Sequence, residues 1–545
     1  MASIMSLPNL KNHVSRNGFD LSEKVAFTAK VGQLLPIMTK EVIPGDKFKI
    51  NVKAFARTQP VNTAAFTRIR QYYDFFFVPF RQLWRSFPDY ITQMNDNRVR
   101  SKNIIAALDV PITCPYFTSS AVSSYIYGLS KVVGTTPATA VNETSWRDKY
   151  ALNKDVCGFN RAFGSVKLLR YLGYGDFTKS IRLGINPPEI PVSQDITLNA
   201  LPLAAYQKIC EDYYRNSQWQ DSSPWSYNFD YWDGRSALDL DTLLSKREGE
   251  GAHNALDLFS LRYVNWQKDY FMGLIPKNVN VSGNAGVISS ILQIRELTAL
   301  QKWNEISETN QKDYKSQIEA HFGVKMSSAM SELVTYLGGT SDALDISEVV
   351  NQNLSGDNSA HIQGKGVGVT DGYIDYEAKE HGVIMCVYHA IPLLDYAIDG
   401  ISPLNQKIKA SSYAIPELDS VGLQTVPREQ LSCPYFDSDY NRVPSSLGYA
   451  PRYFDYKTSY DRVLGAFLTT ESSWTAPVSS KYVKEVMFGD QDYRFTYRSQ
   501  KVNPSVMNPI FGVDANGEES TDQLLINTAF DVKAVRNLDY NGLPY

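Results

Sequence analysis

Glu211, Asp212, Asp221, Asp230 and Asp233 fall in one stretch that also holds Trp219, Trp225 and Trp232. Carboxylates flanked by indole rings are the equipment of glycoside hydrolysis. One acid protonates the leaving oxygen, a second attacks or activates water, and the rings stack on sugar. The separation between the two carboxylates decides that chemistry, and a sequence does not give it. The plainer reading is a packed insertion whose carboxylates face solvent, and it is preferred because Asp and Glu are mostly exposed. A β-sandwich that binds or cleaves carbohydrate through residues 211–257 is the alternative function.

Other residue types capable of chemistry are scattered. The histidines (His13, His253, His321, His361, His381 and His389) form neither H-x-x-x-H nor H-E-x-x-H, so no zinc site is indicated. His321 and His389 read as structural histidines. Gly364-Lys365-Gly366-Val367-Gly368 lacks the G-x-x-x-x-G-K-[ST] spacing of a phosphate loop and reads as a flexible loop. No G-x-S-x-G elbow occurs. The five cysteines (Cys114, Cys157, Cys210, Cys386 and Cys433) are at least 43 residues apart and read as small buried hydrophobes, not as a disulfide framework. The sequons at Asn142, Asn280 and Asn353 carry no meaning in a cytosolic product. No catalytic, cofactor-binding or metal-binding residue is assigned, and no cofactor is implied.

Charge is more informative. The formal net charge is −4, yet residues 1–102 hold 16 Lys and Arg against 7 Asp and Glu. A basic start on an acidic body suits contact with nucleic acid on one face. The candidate nucleic-acid-facing cations are Lys11, Arg16, Lys24, Lys30, Arg57, Arg68 and Arg70, set against phosphates, with Tyr or Phe rings stacking on bases. The competing reading is that lysines of this region only solvate the polar face of a strand.

These side chains need a scaffold, and its pattern is that of strands. After the turn Pro44-Gly45-Asp46, Phe48, Ile50, Val52, Ala54 and Ala56 alternate with Lys47, Lys49, Asn51 and Lys53, the period of a half-buried strand over 42–57. Tyr72-Tyr73-Asp74-Phe75-Phe76-Phe77-Val78 then predicts a strand over 69–78, closed by Pro79 and buried on both faces. Further strands are predicted at 382–391, 460–468, 492–498 and 523–535. Helices are predicted at 203–215 and at 288–322, the latter interrupted at 308–312. Residues 118–145 read as an exposed loop or small hairpin, 219–232 as an irregular packed loop, and 338–372 as mostly loop. The longest apolar run, Val383–Leu394, has 12 residues, short of a membrane span. No targeting segment is visible, so folding in a cytosol is expected.

The order of motifs resembles the major capsid proteins of the Microviridae, small tailless phages with single-stranded DNA. It runs through Phe19-Asp20-Leu21-Ser22, Gly32-Gln33-Leu34-Leu35-Pro36, Glu41-Val42-Ile43-Pro44-Gly45-Asp46 and Phe75-Phe76-Phe77-Val78-Pro79 with Arg81 and Trp84. It continues through Leu201-Pro202, Ala205-Tyr206, Tyr214-Arg215, Asp269-Tyr270-Phe271, His321-Phe322-Gly323-Val324, Tyr336-Leu337-Gly338-Gly339, Ile346-Ser347-Glu348-Val349 and Gly364–Gly368. It closes with Gly448-Tyr449, Arg452-Tyr453 and Tyr456-Lys457, and the stretch Phe530–Asn537 resembles relatives from gut bacteria. One departure stands out: Lys277–Val287 is only 11 residues long, where the gokushovirus branch has a long surface-spike insertion. Residues 118–150 or 217–257 are candidates for a substitute.

The resemblance implies a mainly β fold: a single eight-stranded antiparallel jelly-roll sandwich with long, partly helical insertions. The organisation expected is a basic N-terminal arm over 1–40 and a jelly-roll domain over 41–545, with insertions at 81–380 and 392–455. The implied function is a non-enzymatic major capsid protein that self-assembles into an icosahedral shell. Its expected partners are other copies of itself, the single-stranded DNA genome, a small DNA-binding protein, a pilot protein and a host surface receptor, without membrane insertion. The expected location is the virion, assembled in the bacterial host cytoplasm.

Overall fold

The computed structural model describes residues 16–92, 113–130, 155–182, 195–240, 258–276, 291–350, 362–431, 446–479 and 500–540, apart from a few positions inside these spans. Its centre is a nine-stranded antiparallel array: β1 (Asn17–Asp20), β2 (Glu23–Ala29), β3 (Leu35–Val42), β4 (Lys47–Thr58), β5 (Ile69–Pro79), β6 (Thr335–Val350), β7 (Ile362–Glu377), β8 (Gly382–Pro392) and β9 (Leu524–Arg536). One half runs β2–β9–β4–β7, with β1 also on β9; the other runs β3–β8–β5–β6. The first part of β6 pairs with β5 and the last part with β7, so this long strand links the halves.

The halves face each other. Phe75 of β5 meets Phe530 of β9 edge-on with ring centroids 6.3 Å apart, and Phe27 of β2 meets Tyr388 of β8 at 5.1 Å. Gln71 Nε2 donates to Thr370 Oγ1 of β7 at 3.1 Å across the same interior. The aromatic block of β5 is buried on both sides because its even positions are also covered. Phe76 packs against Tyr213 at 4.9 Å and Tyr214 at 6.0 Å. Burying one such ring contributes about 1.5–3 kcal/mol.

The longer helices of the described part are α1 (Ser119–Ser130), α2 (Arg161–Tyr171), α3 (Leu201–Tyr213), α4 (Ile291–Thr309) and α5 (Tyr314–Phe322). The expected helices at 203–215 and 288–322 are α3 and the α4–α5 pair. The expected break falls where Asp313 caps α5 by accepting from Ser316 N at 2.9 Å.

Several expectations need correction. Residues 338–372 were expected to be mostly loop, yet β6 and β7 occupy much of them. Their glycines serve close approach instead of turns: a Cβ on Gly368 would lie 2.8 Å from Leu344 and 2.9 Å from the Gln71 amide. β6 and β7 therefore lie inside the span 81–380 that was expected to be an insertion. From residue 17 on, the expected arm is β1, β2 and the start of β3, held in the array by β9 and β8. The first part of 118–145 is helix α1, with Val122, Tyr125, Ile126 and Leu129 buried at helical spacing. Its start is capped from far away: Asp195 accepts from Ser120 N at 3.0 Å and Ser119 Oγ at 2.8 Å. The strand expected at 460–468 shrinks to Arg462–Val463 followed by a 3-10 turn, and 492–498 lies outside the described residues. No helix among the described residues is long and apolar enough to cross a membrane.

Candidate nucleic-acid interface

The outer face of the β2–β9–β4–β7 half carries alternate residues of each strand. On β4 these are Lys47, Lys49, Asn51, Lys53, Phe55 and Arg57, while Phe48, Ile50, Val52, Ala54 and Ala56 point into the core. The register sets Lys47 beside Glu377, Lys49 beside Asp375 and Lys53 beside Asp371. Lys47 Nζ reaches Glu377 at 3.2 Å, and Lys533 Nζ reaches Asp20 at 2.6 Å. At the Lys47 end of this face the charges are therefore matched, in exposed pairs that add little stability.

Toward the opposite end one row holds Lys24 of β2, Ala529 of β9, Lys53 of β4 and Asp371 of β7, two cations to one acid, and Arg57 follows two rows further on. The Arg57 guanidinium sits 4.9 Å over the Phe55 ring, which is 36 % exposed. Val369 and Leu525, both exposed, flank this ring and cation in register. A phosphate backbone needs spaced cations and unpaired bases need open π-faces; this end supplies both.

The sequence-derived cations do not converge on one patch. Lys24 and Arg57 share this face. Arg16 is exposed and donates from Nη2 to the Gly45 carbonyl at 2.6 Å, at the β3–β4 turn where Gly45 takes φ 91°. Arg68 is exposed just before β5, and Arg70 lies on the outer side of the other half, 5.9 Å over Tyr72. Lys11 lies outside the described residues. Lys53, passed over in the sequence, is placed beside Lys24 by pairing through β9; the signal available beforehand was its alternation with Arg57.

Lys30 is a correction: it is 1 % exposed and cannot meet a surface phosphate. Its Nζ donates to Asp522 Oδ1 at 2.7 Å and to the Glu518 carbonyl at 2.7 Å. Lys167 Nζ of α2 donates to Asp522 Oδ2 and to Gln33 Oε1, both at 2.8 Å. Burial raises the Asp522 pKa, but the two ammoniums outweigh it and leave the carboxyl below its ordinary value. Burial pushes Lys167 down to about 8 against the pull of Asp522. This node ties the β2–β3 link to the segment entering β9.

The carboxylates of 211–257 are structural where described. Glu211 pairs with Arg215 at 2.8 Å, Asp212 with Lys208 at 3.0 Å, and Asp230 with Arg85 at 3.1 Å. Trp219 Nε1 donates to the Leu274 carbonyl and Trp232 Nε1 to the Ser236 carbonyl, each at 2.8 Å. Asp221, Asp233 and the Trp225 side chain lie outside the described residues. His389 is stacked on Tyr72 at 4.8 Å, and burial pushes its pKa down to about 3. His321 shares a 3.0 Å hydrogen bond with Ser307 Oγ and stacks on Trp303. Cys157, Cys210 and Cys386 are buried and Cys114 partly so, all as free thiols; Cys433 lies outside the described residues.

Two of the four strands that build this face, β2 and β4, lie within a match to known proteins. Residues 9–161 match the capsid protein (F protein) family of phages. That segment contains β1 to β5, so the resemblance read from the early motifs is borne out there. The chain is also similar to capsid protein VP1 of Chlamydia phage 1, at 24% identity over 220 residues, covering 38% of this chain and 36% of that protein. A second similarity is to capsid protein VP1 of Bdellovibrio phage phiMH2K, at 33% identity over 82 residues, covering 15% of each. The matched stretches thus span little more than a third of the first relative and less of the second.

Proposed function

We propose that this chain is the major capsid protein of a small single-stranded DNA phage, forming an icosahedral shell by self-association. The observation that carries the reading is the capsid-family match over residues 9–161, the part of the chain that holds five of the nine strands. The strand order supports the finer assignment of a jelly roll. With β1 set aside, eight strands fall into two four-stranded halves, β2–β9–β4–β7 and β3–β8–β5–β6, in which the last strand lies beside the first. Double-sheet jelly rolls of this size recur in viral capsid domains. Long segments between β5 and β6 and between β8 and β9 supply the several different contact surfaces that a closed shell asks of each subunit.

In this reading the Lys24–Lys53–Arg57 end, with Phe55, faces the packaged genome. Binding there is tolerant of sequence and weakened by salt. The further partners are a small DNA-binding protein, a pilot protein and a host receptor. The shell is assembled in the host cytoplasm, and the chain is not an enzyme. Negative-stain electron microscopy of the protein purified from phage-producing cells tests the central claim. Uniform icosahedral particles composed of this chain are expected; a monomer that never assembles with its phage partners present overturns it.

A further inference from the structure

Helices α4 and α5 form a hairpin with no core of its own. No residue of α5 is buried, and none of residues 297–309 of α4 is. Helices gain most of their stability by packing an apolar face, and short ones are marginal in water alone. The hairpin is tied to the body at its turn by polar contacts. Ser217 N donates to Gln311 Oε1 at 3.0 Å, Lys312 N to Ser217 Oγ at 2.8 Å and Gln218 Nε2 to the Ser307 carbonyl at 3.3 Å. The two helices hold each other through Gln317 Nε2, which donates to the Ser307 carbonyl at 3.1 Å, and through Trp303 stacked on His321 at 5.7 Å.

A groove of about 680 Å³ runs along this hairpin and is lined by Trp303, Tyr314, Ile318 and Phe322. Trp303 is 55 %, Tyr314 65 % and Phe322 73 % exposed. At about 200 Å² to a ring, these three leave roughly 400 Å² of aromatic surface uncovered. That is half of the about 800 Å² that one partner brings to a standard interface, and such rings are enriched at interface centres. Glu308 and Lys312 line the same groove. Glu308 Oε2 is buried without a hydrogen-bond partner, and neither residue forms an ion pair among the described residues. One unpaired charge of each sign beside one aromatic groove is self-complementary. A copy related by a two-fold axis can bring its Lys312 to Glu308 and its Glu308 to Lys312.

We propose that the α4–α5 hairpin is a contact between two copies of this chain. The aromatic grooves close on each other, and Glu308 of each copy meets the partner's Lys312. The proposal rests on the shell reading and names one of the contact surfaces that reading requires.

The two charges allow a test by mixing. Glu308→Lys leaves two cations at the groove and Lys312→Glu two anions, so either variant alone faces like charge across the contact. Phage-producing cells carrying each variant alone, or both together, are compared for particles by gradient sedimentation and negative-stain microscopy. Each alone should lower the particle yield by about tenfold, and the two together should restore it, because unlike copies now pair. Joint Trp303→Ser and Phe322→Ser changes should lower the yield with the melting transition of the soluble chain retained. A second measurement needs no variant: carbodiimide treatment of particles assembled from normal and heavy-nitrogen copies should join Glu308 of one label to Lys312 of the other. A loss that mixing does not repair, with no cross-link between labels, assigns the hairpin to another chain or a small ligand and overturns the proposal. Particles unaffected by every variant overturn it and leave the shell reading standing. If the parent forms no particles, the shell reading fails, and sedimentation of the purified chain decides the contact. Absence there of self-association sensitive to these variants overturns the contact as well.

Discussion

Replacing Asp522 by Asn takes away the carboxylate that two buried ammoniums share. Lys30 and Lys167 lie 2.7 and 2.8 Å from its two oxygens, and their side chains are 1% and 3% exposed. Asparagine keeps the size and an acceptor but leaves both charges without their anion. Removing one partner of a buried pair costs about 3–5 kcal/mol, and two stranded cations place Asp522→Asn at the upper end. Lys167→Met should be milder, below about 2 kcal/mol, because it leaves a neutral Lys30–Asp522 pair in an apolar surround. The pH dependence has a definite sign. Lys167 has a folded pKa pushed down to about 8 from 10.5, so the unfolded chain holds more protons between those values and stability rises with pH there. Without Asp522 the folded pKa drops further, so Asp522→Asn should regain stability relative to the parent as pH rises from 6 to 9. Urea unfolding of the full chain, followed by tryptophan fluorescence at matched concentration and at both pH values, measures all of this. A loss under about 1 kcal/mol for Asp522→Asn, or a larger loss for Lys167→Met, would refute the reasoning.

Four further outcomes are expected. His389, neutral and buried with its pKa pushed down to about 3, takes up a proton in the unfolded chain first; stability should fall as pH drops from 6.5 toward 3. The parent should show a slope steeper than His389→Gln by about 1.4 kcal/mol per pH unit in that window, and equal slopes in acid unfolding would count against it. Joint Lys53→Gln and Arg57→Gln changes should lower the salt slope of oligothymidylate binding by about 1.4, read from affinities across a salt series, whereas Lys30→Gln should leave the slope alone. Phe75→Ala, deleting a ring packed on Phe530 between the two halves, should cost about 3–5 kcal/mol in denaturant unfolding. Gly382→Ala would set a Cβ 2.4 Å from the Val78 carbonyl oxygen, so a lower melting temperature is expected, and an unchanged one would mean that β8 shifts freely against β5.

Alternation and composition alone determined β4, β5, β8 and β9, because a half-buried or fully buried strand writes its environment into every second residue. They also marked α3 and the break between α4 and α5, where Asp313 supplies a local cap. The glycine-rich strands β6 and β7 were hidden, since their glycines answer to a facing layer and not to the local chain. Helix α1 was hidden for a similar reason: its cap, Asp195, is about 75 residues away in sequence. Charge counting found a basic N-terminal region but could not sort it. Tertiary structure sent Lys30 inside to Asp522, Arg70 to the opposite outer face, and Lys24 beside Lys53 through the intervening strand β9. A sequence records which side chains carry charge. Which charges meet one another, solvent or a ligand depends on contacts between residues hundreds of positions apart, and only the folded chain brings those together.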